Sequence, residues 1–125
     1  MLIDSGLLAF AEGDVARART DFESAFSLSP SPSAASNRAI CFLHLRRVRD
    51  GVDYLEQLVE ERPTMFCTED VISALCQMYD LIWLDADDRR RALFLRVADH
   101  LHGHFDFAIF RLDELDRVVS RYRAL

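Results

Sequence analysis

The sequence contains no lysine: all 15 of its basic residues are arginine. The bias reads as a coding preference of the genome rather than a chemical requirement, although arginine makes flatter, more interface-prone contacts than lysine does. Positive charge is also outnumbered, 15 basic against 21 acidic residues for a net charge of −6. That balance argues against nucleic acid or an anionic membrane as the main partner, since both are bound through an excess of positive charge. Cysteine is limited to Cys41, Cys67 and Cys76, an odd number without Cys-x-x-Cys spacing, so neither a disulfide framework nor a zinc knuckle is expected. Cys41 and Cys76 fall within apolar helical patterns, where a free cysteine acts as a small core residue, and a reducing compartment is expected. No apolar run approaches the roughly 18–20 residues that cross a bilayer. No signal peptide precedes the first periodic residues, and the chain opens inside a helical pattern, as a piece of something longer would. Alternating Val/Ile/Thr runs bounded by turns, the mark of strands, are missing too.

What is present is helical period. With 125 residues, 50% of them apolar and 29% charged, the chain is expected to form a single domain with a core of its own. Apolar residues recur at i, i+3, i+4 and i+7. The pattern predicts helices over about 2–11, 15–28, 33–46, 48–61, 69–83, 87–102 and 106–123. Asp14 caps the second, Pro30 and Pro32 close it, Pro63 stops the fourth, Thr68 opens the fifth, and Gly103 breaks the sixth. Links this short predict antiparallel neighbours.

The helices repeat. In the stretch GLLAFAEGDVARARTDFESAFSLSP, Gly6, the Gly13-Asp14 turn, Ala18, Phe22, Ala25 and Pro30 stand where a tetratricopeptide (TPR) repeat of about 34 residues places small, turn-forming, large and terminating residues. Adding 33 turns Gly6 into Ala39, Ala9 into Phe42, Val15 into Val48, Ala18 into Gly51, Phe22 into Leu55, Ala25 into Leu58 and Pro30 into Pro63. The turn is not repeated, since Gly13-Asp14 becomes Arg46-Arg47. A further step of 33 keeps Ile72, Leu75 and Leu81 apolar but decays at Asp88 and Arg96. The expected fold is therefore all-α: a TPR-like, right-handed helical-repeat solenoid of about seven antiparallel helices. Repeat 1 spans about 1–32 and repeat 2 about 33–65, and a third-like helix with divergent capping helices occupies about 66–125.

A closer likeness lies in NRAICFLHLRRVRDGVDYLEQLVEERP (37–63), TEDVISALCQMYDL (68–81) and RRRALFLRVADHL (89–101). Asn37, Ala39, Cys41, Leu43 and Leu45, then Leu55 and Glu56, then Met78, Tyr79 and Leu81, and finally Ala92, Leu93, Val97 and Ala98 carry it. These pieces resemble the C-terminal TPR region of the twelfth-subunit family of the TRAPP (trafficking protein particle) tethering complex, over residues 1–112 or so. The resemblance implies a scaffold or accessory subunit in vesicle tethering between endoplasmic reticulum and Golgi, within a complex that activates a Rab GTPase through its other subunits. It implies a cytoplasmic protein, peripheral at those membranes through the complex. No catalytic residue and no cofactor come with it.

The site expected of such a repeat is the concave groove lined by the first helix of each pair. The register places Ile3, Leu7, Phe10 and Ala11 there in the first repeat, and Ser36, Ile40, Leu43 and His44, with Asn37, in the second. Glu69, Ser73, Cys76 and Gln77 follow in the third-like helix. A clamp for a chaperone's C-terminal carboxylate needs a cationic pair, but the corresponding places hold Ile3, Leu7, Asn37, Phe66 and Asp70, of which only Asn37 suits. Leu7, Phe10, Ile40 and Leu43 offer an apolar seat for an amphipathic partner helix or peptide; an upstream repeat or the chain's own last helix would cover the same residues. Three other features carry bland readings that outweigh the chemical ones. His100, His102 and His104 with Asp99 have metal-ligand residue types, but Gly103 interrupts the helix that would align them, leaving a polar helix end. The acids at 85–88 lack the glycine and glutamate of a calcium loop, since Arg90 and Arg96 stand at those places. Cys67 has no histidine placed beside it to act as a base. Trp83 is expected to seat the capping pair. The last predicted helix, with Phe107, Phe110, Leu112, Leu115, Val118, Val119 and Tyr122, has more apolar surface than one stripe needs, and offers a docking or self-association face. The expected function is protein binding, without catalytic, cofactor or metal residues.

Overall fold

A computed structural model describes residues 2–111, with side chains from Ser5 onward. Every regular element among the described residues is helical: α1 (Leu2–Ala11), α2 (Val15–Leu28), α3 (Pro32–His44), α4 (Val48–Glu61), α5 (Pro63–Phe66), α6 (Glu69–Ile82) and α7 (Ala86–Val97). Two 3₁₀ turns follow, Ala98–His100 and Phe107–Phe110. The chain is an all-α helical repeat. α1 packs on α2, α2 on α3, and α3 on both α4 and α6; α6 carries α4, α7 and the second 3₁₀ turn. Links of three residues between contacting helices force each successive pair to reverse direction.

Small residues set the closeness of the first pair. A Cβ on Gly6 would stand 2.6 Å from the Phe22 ring, so α1 approaches α2 only because that side chain is absent. Ala9, Ala18, Phe22 and Cys41 form a compact cluster of their own, walled by Phe10 and Val15. The main core lies beyond it, around Ala39, Val52, Leu55, Phe66, Ile72, Leu75, Met78, Leu93 and Phe94.

The backbone repeats where the sequence does not. Gly13 takes φ +85°, and Arg46, 33 residues on, takes φ +62°. The hydrogen bonds match as well. Gly13 N–H donates to Phe10 C=O and Asp14 N–H to Ala9 C=O; Arg46 N–H donates to Leu43 C=O and Arg47 N–H to Phe42 C=O. Both pairs end their first helix in the same left-handed cap.

Three sequence expectations are corrected, and a fourth, the stop at Pro63, is borne out and extended. Pro32 does not close α2, which ends at Leu28; it is the first residue of α3, behind the Ser31 cap whose Oγ accepts from Ala34 N–H at 3.1 Å. Pro63 stops α4 but also begins α5, one extra helical turn that buries Phe66 completely. That turn explains the decay of the 33-residue register. From cap to cap, Ser31 to Thr68, the step is 37, so the third copy lies one helical turn further on. At that step Ala34, Ala35, Ala39, Cys41 and Phe42 align with Val71, Ile72, Cys76, Met78 and Tyr79, all buried. The sixth predicted helix stops at Val97 rather than 102, well before the exposed Gly103. The chain there turns back to bury Phe105 and Phe110 beside Phe94, which a continued helix would prevent. Finally, no α-helix starts at 106. Residues 107–110 form a 3₁₀ turn, and Arg111 adopts φ +50°, which an α-helix cannot pass through. Leu112, Leu115, Val118, Val119 and Tyr122, on which the docking-face expectation rests, lie outside the described residues.

Candidate partner-binding groove

The first helix of each pair, α1, α3 and α6, carries the expected groove residues. In α1, Leu7 is 49% exposed and Phe10 half-buried; the side chain of Ile3 lies outside the described residues. In α3, Asn37, Ile40 and Leu43 are half-buried and His44 is exposed. Phe10 and His44 meet edge to face with ring centroids 5.0 Å apart, so the ends of α1 and α3 share one surface. Leu43 leans into the main core, which makes it as much a packing residue as a groove residue. In α6, Gln77 is exposed and donates to Ser73 Oγ at 3.1 Å.

The 37-residue step changes the α6 contribution. Ile40 corresponds to Gln77 and His44 to Leu81, so Gln77 keeps its place. Cys76 leaves the groove, being 1% exposed in the core. Leu81, 59% exposed, takes the position that His44 holds in α3. The 33-residue register did not bring Leu81 to this position because it was counted through α5. Counting between the Ser31 and Thr68 caps would have found it.

The remaining sequence candidates serve the fold. Trp83 is half-buried under the guanidinium of Arg89 at 3.7 Å, with Arg49 at 5.4 Å and the Tyr79 ring at 5.7 Å, and so ties α4, α6 and α7 together. Among the acids at 85–88, Asp85 faces Arg89, Asp87 accepts from Arg90 and Asp88 faces Arg91. Arg90 is buried and also donates to Asp80, which Arg111 holds from the other side. His104 N–H donates to His102 Nδ1 at 3.1 Å, with the two rings 6.5 Å apart. Among the described residues no group of three or more His, Cys, Asp or Glu is arranged to hold a metal ion. Burial pushes the Cys67 thiol up to about 11, so at neutral pH it is a protonated core group rather than a thiolate nucleophile. Cys41 and Cys76 are raised to about 11 by the same cause, offset in part by nearby arginines. No described helix is long and apolar enough to cross a membrane.

One further opening, unnoticed in the sequence, lies between α4 and α7. Glu56 sits at its centre: its Oε1 accepts from the Tyr79 hydroxyl at 3.0 Å and its Oε2 faces Arg96 at 3.8 Å. Burial raises the Tyr79 hydroxyl well above the ordinary tyrosine range, and the Glu56 charge adds to this.

These features define the class, an all-α helical-repeat domain with a half-apolar surface along its first helices. No protein-family model matches the chain. Over 113 residues, 90% of its length, the chain is 28% identical to human (Homo sapiens) trafficking protein particle complex subunit 12. It is 25% identical, over the same length, to the mouse (Mus musculus) protein. The chain spans only about 15% of the length of these relatives.

Proposed function

We propose that the chain is a TPR-type protein-binding module that serves as an accessory subunit of a TRAPP-like vesicle-tethering complex, in the cytoplasm and peripheral at membranes between endoplasmic reticulum and Golgi. Rab activation would belong to its partner subunits, the chain itself holding no catalytic role. The observation that carries this reading is the 28% identity to a trafficking-particle subunit along 90% of the chain. The groove supports it, because Leu7, Phe10, Ile40 and Leu81 leave apolar surface on the face that helical repeats offer to a partner helix or peptide.

Reconstitution tests the reading. The purified chain, mixed with a purified TRAPP core particle, is expected to co-elute with it in size-exclusion chromatography. Leu7→Glu, on an exposed side chain, should fold normally and weaken co-elution by roughly tenfold or more in affinity. Wild-type chain that elutes alone overturns the tethering role. Wild type and Leu7→Glu that co-elute equally move docking away from the groove.

A further inference from the structure

Two furrows run between successive second helices, and they share a plan but differ in finish. In the first, between α2 and α4 over α3, Glu23 faces Arg38 at 3.6 Å. There the Phe26 ring plugs the floor, with centroids 6.1 Å from Tyr54 and 5.9 Å from Phe66. Arg38 closes the top, 4.5 Å over the Tyr54 ring. The second furrow, between α4 and α7 over α6, repeats the acid: Glu56 stands 33 residues after Glu23 and faces Arg96. It does not repeat the ring. Val59 stands 33 residues after Phe26, and beside it opens a cleft of about 290 Å³ with Pro63 and Val97 as its other apolar walls. Past Glu56 and Arg96 a second hollow of about 280 Å³ continues toward Tyr79 and Ala92.

We propose that this cleft is a docking site for a segment of a partner protein that inserts one large apolar side chain between α4 and α7 and carries an arginine or lysine beside it. The cleft has the volume of a small anchor pocket and an apolar floor, the combination that seats interface anchors. The charge preference follows from what is left unneutralised. Asp53, Glu56 and Glu60 follow one another at i, i+3 and i+7 along one stripe of α4. Asp53 and Glu60 are exposed and make no ion pair among the described residues. The facing arginines of α7 are already engaged, Arg89 by Asp85 at 3.4 Å and Arg96 by Glu56 at 3.8 Å. Of Asp53 and Glu60, the latter lines the cleft itself, so the cleft presents unpaired acid, which a basic residue beside the anchor would meet. His100 at the far rim adds a second hydrogen-bonding group.

The first furrow supplies the test. Val59→Phe puts back the ring that fills the equivalent place, closing the cleft from within. A random peptide display library selected on the wild-type chain is expected to enrich sequences with a large apolar residue next to arginine or lysine. Synthetic copies of them should bind Val59→Phe at least about tenfold more weakly, while circular dichroism and melting temperature show a folded protein of equal or higher stability. Glu60→Arg should shift the selection toward acidic neighbours of the anchor, and Leu7→Glu should leave it unchanged, which separates this cleft from the concave groove. No enrichment, or peptides that bind Val59→Phe as well as wild type, overturns the proposal. Should Val59→Phe fail to fold, an unchanged selection on Glu60→Arg overturns it equally.

Discussion

At the scale of single residues, the absence of lysine has a structural counterpart. Arg19, Arg38 and Arg47 place guanidinium groups within 5.6 Å of the centre of the Phe42 ring, and Arg49 and Arg89 flank Trp83. Planar guanidinium stacks on aromatic faces in a way a compact ammonium does not, so whatever set the codon preference, the fold now uses it. The cysteines are a second case, where residue chemistry predicts a bulk property. All three thiols are buried and raised from 9.0 to about 11. Well below pH 9 the thiols are protonated in folded and unfolded chains alike, and they contribute no pH dependence. Between about 9 and 11 the unfolded chain releases its thiol protons while the folded chain keeps them, which favours unfolding. The stability measured by urea unfolding is therefore expected to fall as pH rises through that window. Replacing Cys41, Cys67 and Cys76 together with alanine should flatten the fall, even though the variant is less stable throughout.

At the scale of elements, most boundaries were legible because each has a local cause that one sequence displays. Asp14 and Thr68 are capping residues, and their side chains accept from the N–H groups of Arg17 and Val71. Gly13 is the residue that a left-handed helix cap selects. What sequence could not display was the same cap made without glycine. Arg46 holds the left-handed conformation at φ +62° because α3 and α4, packed together, leave the chain no other path. A side chain in that region costs about 1–2 kcal/mol. Arg46 is exposed, so Arg46→Gly removes the strain without opening the core. The greater freedom that glycine has in the unfolded chain offsets part of the gain. Thermal or urea unfolding of Arg46→Gly is expected to show a net stabilisation of about 0.5–1 kcal/mol. The extra turn α5 was hidden for a different reason. Proline reads as a stop, and the second role of Pro63, as the first residue of a new turn, depends on Phe66 finding the pocket beside Phe26. A tertiary contact made that turn, and with it moved the register of everything that follows.

At the scale of the whole molecule, the helical-repeat architecture and the resemblance to a trafficking-particle subunit could both be read from periodicity and from a few pieces of helix. The positions proposed for the groove follow the 33-residue step in α1 and α3; in α6 the cap-to-cap step is 37, and Cys76 lies in the core. The cleft between α4 and α7 was not legible at all. It arises from Val59 standing where an aromatic plugs the neighbouring furrow, a difference with meaning only once the two furrows lie side by side. The central claim, that this chain works as a bound subunit rather than alone, is tested most directly by purifying the tagged chain at native level from its own cells and quantifying by mass spectrometry what accompanies it. Several TRAPP core subunits in fixed proportion to the chain are expected. Recovery of the chain without them, or with a different assembly in fixed proportion, would contradict that claim.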